Sequence, residues 1–209
     1  MSKDYSQYGE QPIIIATLEA IGITKGHLVD LGAGDGYYLS NSRGLLERGW
    51  TGKLLEGDPK GAKDVTKAWI TWENIDTLCD YGNVEYDFLS IDLDGNDYHI
   101  LKEFLVGFTP SLIVCEINPI FERNEAKVMP YNADHVWQSD TYYGASLAAF
   151  EKLGAEHGYT PMYLHHSLNL FLLRNDHAAA HPELIQPNGY EQKGNHKRHN
   201  PALPWITLS

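Results

Sequence analysis

Residues 90–100 read SIDLDGNDYHI, with Asp92, Asp94 and Asp97 beside Asn96, all within six positions directly behind an apolar run. Several chemistries suit that spacing. A calcium loop of the EF-hand type requires glycine at its sixth position, but counting from Asp92 the sixth residue is Asp97, so that reading fails. A structural reading has Asn96 or Asp97 capping the helix that follows, worth about 1 kcal/mol, with Gly95 permitting the turn. It leaves Asp92 and Asp94 unexplained. In a catalytic reading, a carboxylate takes the proton of a substrate hydroxyl. A hard cation can do similar work by acidifying that hydroxyl, and Asp92, Asp94, Glu116 and Asn118 offer the oxygen ligands that Mg²⁺ prefers.

A second cluster precedes these aspartates. In DLGAGDG the glycines are Gly32, Gly34 and Gly36, and Tyr37 stands where the dinucleotide fingerprint needs its third glycine. Glycines at this spacing let the chain turn sharply and let a ligand lie against bare backbone. Asp30, just before the turn, can accept from an ammonium group, which suits an amino-acid moiety better than a pyrophosphate. Glu56 closes the next apolar run, where a carboxylate can accept from both ribose hydroxyls of an adenosine. A glycine turn between strand and helix, with an acid ending the following strand, points to a nucleoside cofactor.

Short apolar runs alternating with helical patterns must position these residues. PIIIATLEAIGI predicts a helix with proline in its first turn. HLVDL, GKLLEGDP, KAWIT, YDFLSID and SLIVCEINP predict five strands. Helices are expected over YYLSNSRGLLERGW (about three turns), WENIDTLCDYG, DYHILKEFLVGF and GASLAAFEKLGAEHGY. TPMYLHH and NLFLLRND predict a closing hairpin joined at Ser167 and Leu168. Residues 119–143 predict a long structureless connection, of the kind that serves as a functional loop or lid. Such alternation implies a Rossmann-like α/β fold: a doubly wound, mostly parallel sheet with an antiparallel strand in the edge region. Ligands of such sheets bind beyond the carboxyl ends of the strands.

VDLGAGDGYYLSN and LLEGDP resemble the first two motifs of class I S-adenosylmethionine-dependent methyltransferases. NID, DFLSIDLDGNDYHI, IVCEINP, MPYNADHVW and YYGASLAAFEKLGAEHGY resemble an FkbM-like branch of that family, and the match extends to NLFLLRND. The resemblance implies a methyltransferase domain over 1–176, with 177–209 as a polar tail. It also implies S-adenosylmethionine as cofactor, held by Asp30, Gly32, Ala33, Gly34, Asp35, Gly36, Glu56, Gly57 and Asp58, with Asp92 beside it. The expected acceptor is a hydroxyl of a small molecule or glycan. One departure stands out: only about fifteen residues separate Asp58 from Glu73, so Trp69 or Thr71 must stand in for the usual wall beside the adenine.

Catalytic candidates are Asp92, Asp94 and, at the hairpin turn, His166, whose ordinary pKa lies near neutrality. Candidate acceptor contacts are Glu116, Asn118 and Asn169, with Tyr131, His135, Trp137, Tyr142 and Tyr143 in the long loop. Asp92, Asp94 and Glu116 form the candidate metal set. The two cysteines form no C-x-x-C pair, and zinc chemistry is not expected. The net charge of −12, from 16 basic and 28 acidic residues, disfavours nucleic acid as a partner. The one basic run, KGNHKRHN at 193–200, reads as solvated. Cys79 and Cys115, embedded in apolar runs, read as buried thiols of a reducing compartment. No apolar run approaches the ~18 residues of a membrane span, so a cytoplasmic protein is expected, and its aromatic loop suggests a possible homodimer. Two other readings compete: a non-catalytic relative whose crevice is filled by side chains, and an NAD-dependent oxidoreductase.

Overall fold

The continuous apolar runs of the central strands give each strand two faces to bury, and the computed structural model uses both. It describes residues 3–186 and 203–209; the basic run at 193–200 lies outside the described residues. The strands are β1 His27–Leu31, β2 Thr51–Glu56, β3 Thr66–Lys67, β4 Phe88–Ile91, β5 Leu112–Glu116, β6 Lys127–Val128, β7 Tyr159–His165, β8 Asn169–Arg174 and β9 Ile206–Thr207. The helices are α1 Glu10–Ala20, α2 Arg43–Leu46, α3 Ile75–Leu78, α4 Asp97–Gly107, α5 Leu147–Glu156 and α6 Asn175–Ala180.

Seven strands form one sheet in the order β3-β2-β1-β4-β5-β8-β7. β1 to β5 are parallel, and β8 runs antiparallel between β5 and β7. β7 is therefore an edge strand, opposite β3, and is parallel to the first five. On one face Leu28, Leu54, Phe88 and Phe171 pack with Ile14 and Leu18 of α1. On the other, Val29, Leu55, Leu89 and Leu172 pack with Phe104 of α4 and Phe150 of α5. Neighbouring residues on a strand point to opposite sides, so continuous apolar runs are what a doubly covered sheet demands. Chain order reverses between β1 and β4, which opens a crevice at their carboxyl ends.

Several elements differ from expectation. The three-turn helix after the glycine turn is a single turn, α2. Asp35 accepts from the amides of Tyr37 and Tyr38, and Leu39 takes a left-handed φ of 58°. These local bonds compete with helix formation until the Ser40 hydroxyl accepts from the amide of Arg43. KAWIT contributes only its first residue to β3, which ends at Lys67. The 119–143 stretch is not structureless: β6 pairs with β9 in a two-stranded sheet. The domain boundary expected after Asp176 falls inside α6. No helix among the described residues is long and apolar enough to cross a membrane.

Candidate functional site

The glycine turn packs directly onto the end of β4. Gly32 has φ 89°, and a Cβ there would lie 1.7 Å from the carbonyl oxygen of Asp92. Only glycine allows that approach. The amide of Gly34 donates to Glu56 at 3.0 Å, and the amide of Asp58 donates to the other carboxylate oxygen at 2.9 Å. Glu56 is thereby fixed at the end of β2, with further lone pairs still able to accept.

Two adjoining cavities open at this point. The larger, about 480 Å³, is lined by Asp30, Gly32, Ala33, Gly34, Glu56, Ser90, Asp92, Asp94, Glu116 and Asn169, with Tyr38, Leu39, Lys60 and Trp137 among its other walls. The smaller, about 110 Å³, shares Gly32, Glu56, Asp92 and Asp94 and adds Gly57, Trp69, Ile70, Leu93, Asn96 and His135. The larger cavity thus gathers five carboxylates from the ends of four strands against one ammonium group, that of Lys60. Burial, reinforced by the charge of Glu56, pushes the Asp30 carboxyl up to about 6.

Asp92, Asp94 and Glu116 each bring an oxygen within 4.8 Å of the others. Burial is the main force raising Asp92 and Glu116 above the usual carboxylate range, and their mutual repulsion and the charges of Asp94 and Asp97 add to it. Asp92 is walled by protein yet open to the cavity, so cavity water tempers the burial effect. The like charges keep the direction the same. Two carboxyls this close resist ionising together, which suits proton transfer. One oxygen of Glu116, Oε2, is buried without a hydrogen-bond partner.

The remaining sequence-derived residues fall into two groups. Asp30, Gly32, Ala33, Gly34, Glu56, Gly57, Asp92, Asp94, Glu116, Trp137 and Asn169 line the cavities. Asn169 is held by Glu10, whose carboxylate accepts its amide at 2.9 Å. Others have structural work. Asn118 donates to the carbonyls of Thr141 and Tyr143 and accepts from Ile120, so its amide is spent on the loop rather than turned to the crevice. Asp97 accepts from the amides of Leu93 and Gly95. Asn96 exchanges bonds with Asn132, so neither residue caps α4 in the way expected. Asp35 accepts from the amides of Tyr37 and Tyr38, Asp58 donates its own amide to Glu56, and Gly36 lies under Arg43; all three are outside both linings.

His166 is also corrected. Although the hairpin turn lies at the carboxyl end of the parallel strands, the His166 ring stacks on Tyr8 with centroids 4.9 Å apart and lines neither cavity. Tyr131 stacks on Trp72 and donates to Glu73. Tyr142 donates to the carbonyl of Pro204. Tyr143 packs edge-on against Trp137, and burial beside the Glu116 and Asp92 charges raises its phenol pKa. The sequence reading missed Ile70, Leu93, Lys60, Tyr38 and Leu39. It placed His135 with the acceptor, whereas the ring lines the smaller cavity. Of the two residues expected beside the adenine, Trp69 lines that cavity and packs on Gly57; Thr71 does not.

No protein-family model matches the sequence, and no curated protein matches it. Solved structures with a similar fold include an O-methyltransferase family protein from Burkholderia thailandensis (TM-score 0.45, 14% identity, covering 79% of this chain and 56% of that one). A Lactococcus lactis protein named as a hemolysin gives TM-score 0.45 and 15% identity, with 82% and 90% covered. Magnesium protoporphyrin IX methyltransferase from Synechocystis PCC 6803, solved with bound S-adenosylmethionine, gives TM-score 0.44 and 15% identity, with 79% of each chain covered. The chain thus spans little more than half the length of the first of these. Likeness at this level carries no argument about activity, and the functional reading rests on the site itself.

Proposed function

We propose that the chain is an S-adenosylmethionine-dependent methyltransferase acting on an oxygen of a small molecule or glycan. The observation that carries this reading is a cavity lined by five carboxylates, with Glu56 fixed beside a bare glycine turn. Such a cavity suits a nucleoside bearing positive charge, as the sulfonium and ammonium of that cofactor do. It repels the pyrophosphate of a nicotinamide dinucleotide. The residues fit the group: Gly32, Ala33 and Gly34 would offer a backbone cradle, Asp30 would accept from an ammonium, and Glu56 would accept from ribose hydroxyls. The open volume also argues against a degenerate relative, which would have filled its crevice with side chains.

The bound cofactor supplies an electrophilic methyl group. The chain's task is to bring an acceptor hydroxyl into line and remove its proton. Asp92, at the junction of the two cavities, is the base, with Glu116 holding the one proton the pair shares and Asp94 adding negative charge. Asn169 and Trp137 flank the acceptor side. A second reading, favoured by the 4.8 Å clustering of Asp92, Asp94 and Glu116, gives these oxygens a Mg²⁺ ion that acidifies the hydroxyl. Activity abolished by a chelator and restored by Mg²⁺ would select it.

The test of the cofactor is calorimetric titration of S-adenosylmethionine and of NAD⁺ into the purified protein. Micromolar binding of the first and none of the second is expected. The reverse preference overturns the reading.

A further inference from the structure

The mouth of the larger cavity carries large apolar side chains that the core does not absorb. Tyr38, Leu39 and Trp137 line it and are 75%, 43% and 40% exposed. Among the described residues the Tyr38 side chain has no hydrogen bond or ring contact, whereas its neighbour Tyr37 lies under the Arg43 guanidinium and donates to Asp64. The Trp137 indole is held by its N–H, which donates to the carbonyl of Asp140 at 2.9 Å, and by Tyr143 packed edge-on. Its one donor is spent, and what remains to a ligand is ring surface.

Backbone bonds hold Tyr38 and Leu39 at this mouth. Asp35 accepts from the amides of Tyr37 and Tyr38, and the amide of Ser40 donates to the carbonyl of Tyr5 at 2.9 Å. Between these anchors Leu39 takes φ 58°, a left-handed conformation that a residue with a side chain holds only where its surroundings impose it. The neutral polar groups of the same cavity are mostly engaged. The side-chain amide of Asn41 donates to Ser90 at 3.2 Å, that of Asn169 donates to Glu10 at 2.9 Å, and the Ser40 hydroxyl accepts from the amides of Ser42 and Arg43. Gln7 is the one lining amide whose side chain has no bond among the described residues. A sugar needs several free donors and acceptors, whereas free ring and aliphatic surface suits a flat apolar ligand. Asp92, Asp94 and Glu116 repel an anionic substituent.

We propose that Tyr38, Leu39 and Trp137 form the acceptor subsite and that it takes a planar phenol bearing no anionic group. This inference rests on the methyltransferase reading above and names its acceptor class. The acceptor ring packs on the aromatic side chains, and its hydroxyl meets Asp92. The phenol oxygen forms a bond to the methyl carbon, the carbon–sulfur bond breaks with its electron pair left on sulfur, and the phenolic proton passes to the Asp92 carboxylate. A phenol, with an ordinary pKa of about 10, gives up that proton far more readily than an aliphatic hydroxyl.

The test is calorimetric titration of three probes into the full chain saturated with S-adenosylhomocysteine: 2-naphthol, 6-hydroxy-2-naphthoate and methyl α-glucoside. The first is expected to bind at about millimolar or tighter, in keeping with its size. The second should bind at least about 10-fold more weakly, and the third not measurably. Trp137→Ala and Leu39→Gly should each weaken 2-naphthol about 3- to 10-fold and leave S-adenosylhomocysteine within about two-fold. Leu39→Gly suits the left-handed backbone, so it probes the subsite with the loop path kept. Glucoside binding as tight as that of 2-naphthol would assign the subsite to a glycan. Tighter binding of the naphthoate, lost in Lys60→Ala, would assign it to an anion. Either result overturns the proposal, as does 2-naphthol affinity that is unchanged in both variants or absent while S-adenosylhomocysteine binds, and all of these leave the cofactor reading standing. Absence of S-adenosylhomocysteine binding to the unsubstituted protein would overturn the cofactor reading and this inference with it.

Discussion

On the β1–β2 side of the crevice, the cavity wall is largely backbone. Gly32, Ala33 and Gly34 form the floor, and Glu56 is fixed by two main-chain amides. On the β4–β5–β8 side it is largely side chain: Asp92, Glu116 and Asn169 project from strand ends, and Trp137 arrives from a distant loop. A backbone floor tolerates substitution only where no Cβ intrudes, and it binds any ligand of the right outline. A side-chain wall can be altered residue by residue, which suits it to selecting the acceptor. The difference predicts that changes on the first side act on binding and changes on the second on turnover.

The largest expected effect tests the second half of that statement. Asp92→Asn should lower methyl transfer about 10²- to 10⁴-fold, the usual worth of a general base, while S-adenosylmethionine affinity stays within a few fold. Turnover near the unsubstituted level would remove Asp92 from the mechanism. Glu56→Ala should show the opposite pattern. Loss of a charged acceptor raises the dissociation constant about 10- to 100-fold, and turnover at saturating cofactor should change little. Should both variants lose binding and turnover together, the two sides act as one unit and the comparison breaks.

A smaller effect concerns stability. Asp30, Asp92 and Glu116 have folded-state pKa values raised above the ordinary carboxylate range, Asp30 to about 6 and the coupled pair in the same direction. In the acid, these groups are protonated in both states and cost nothing. As pH rises from about 4 through 6 and beyond, the folded protein must ionise crowded groups, and stability falls. Asp92→Asn removes one of the charges. Its melting temperature should exceed that of the unsubstituted protein by about 2–4 °C at pH 8, allowing for water in the cavity, and the gap should close near pH 4. An equal gap at both pH values would assign the gain to something other than ionisation. The smallest effect belongs to His166→Ala. Because that ring stacks on Tyr8 away from both cavities, turnover should stay within about two-fold, and a large loss would return it to the site.

Parts of this molecule are legible without coordinates, and they share a physical cause. β1 is the run HLVDL with the bounds expected, because an unbroken apolar run ended by glycine has few alternatives. The glycine turn and Glu56 follow from short-range geometry, as strand, turn and next strand lie close in sequence. The shortening of α2 is also local, but the competing bonds from Asp35 and Ser40 are weaker signals than the helical spacing of GLLERGW.

The sequence alone determined the doubly wound α/β class, the glycine turn with its paired acid, and Asp92 and Glu116 as strand-end residues. Periodicity and glycine spacing act over a few residues and survive in any arrangement of the elements. Only the tertiary structure decided which polar residues line the cavities. Asn118 and Asp97 looked like site residues until their hydrogen bonds to Thr141, Tyr143, Leu93 and Gly95 accounted for them. His135 belonged to an unplaced loop until Trp69 and Asn96, 64 and 36 positions from the loop residues they bind, fixed its path. A polar side chain can satisfy itself on the backbone or on a ligand, and that choice is made by neighbours far away in the chain.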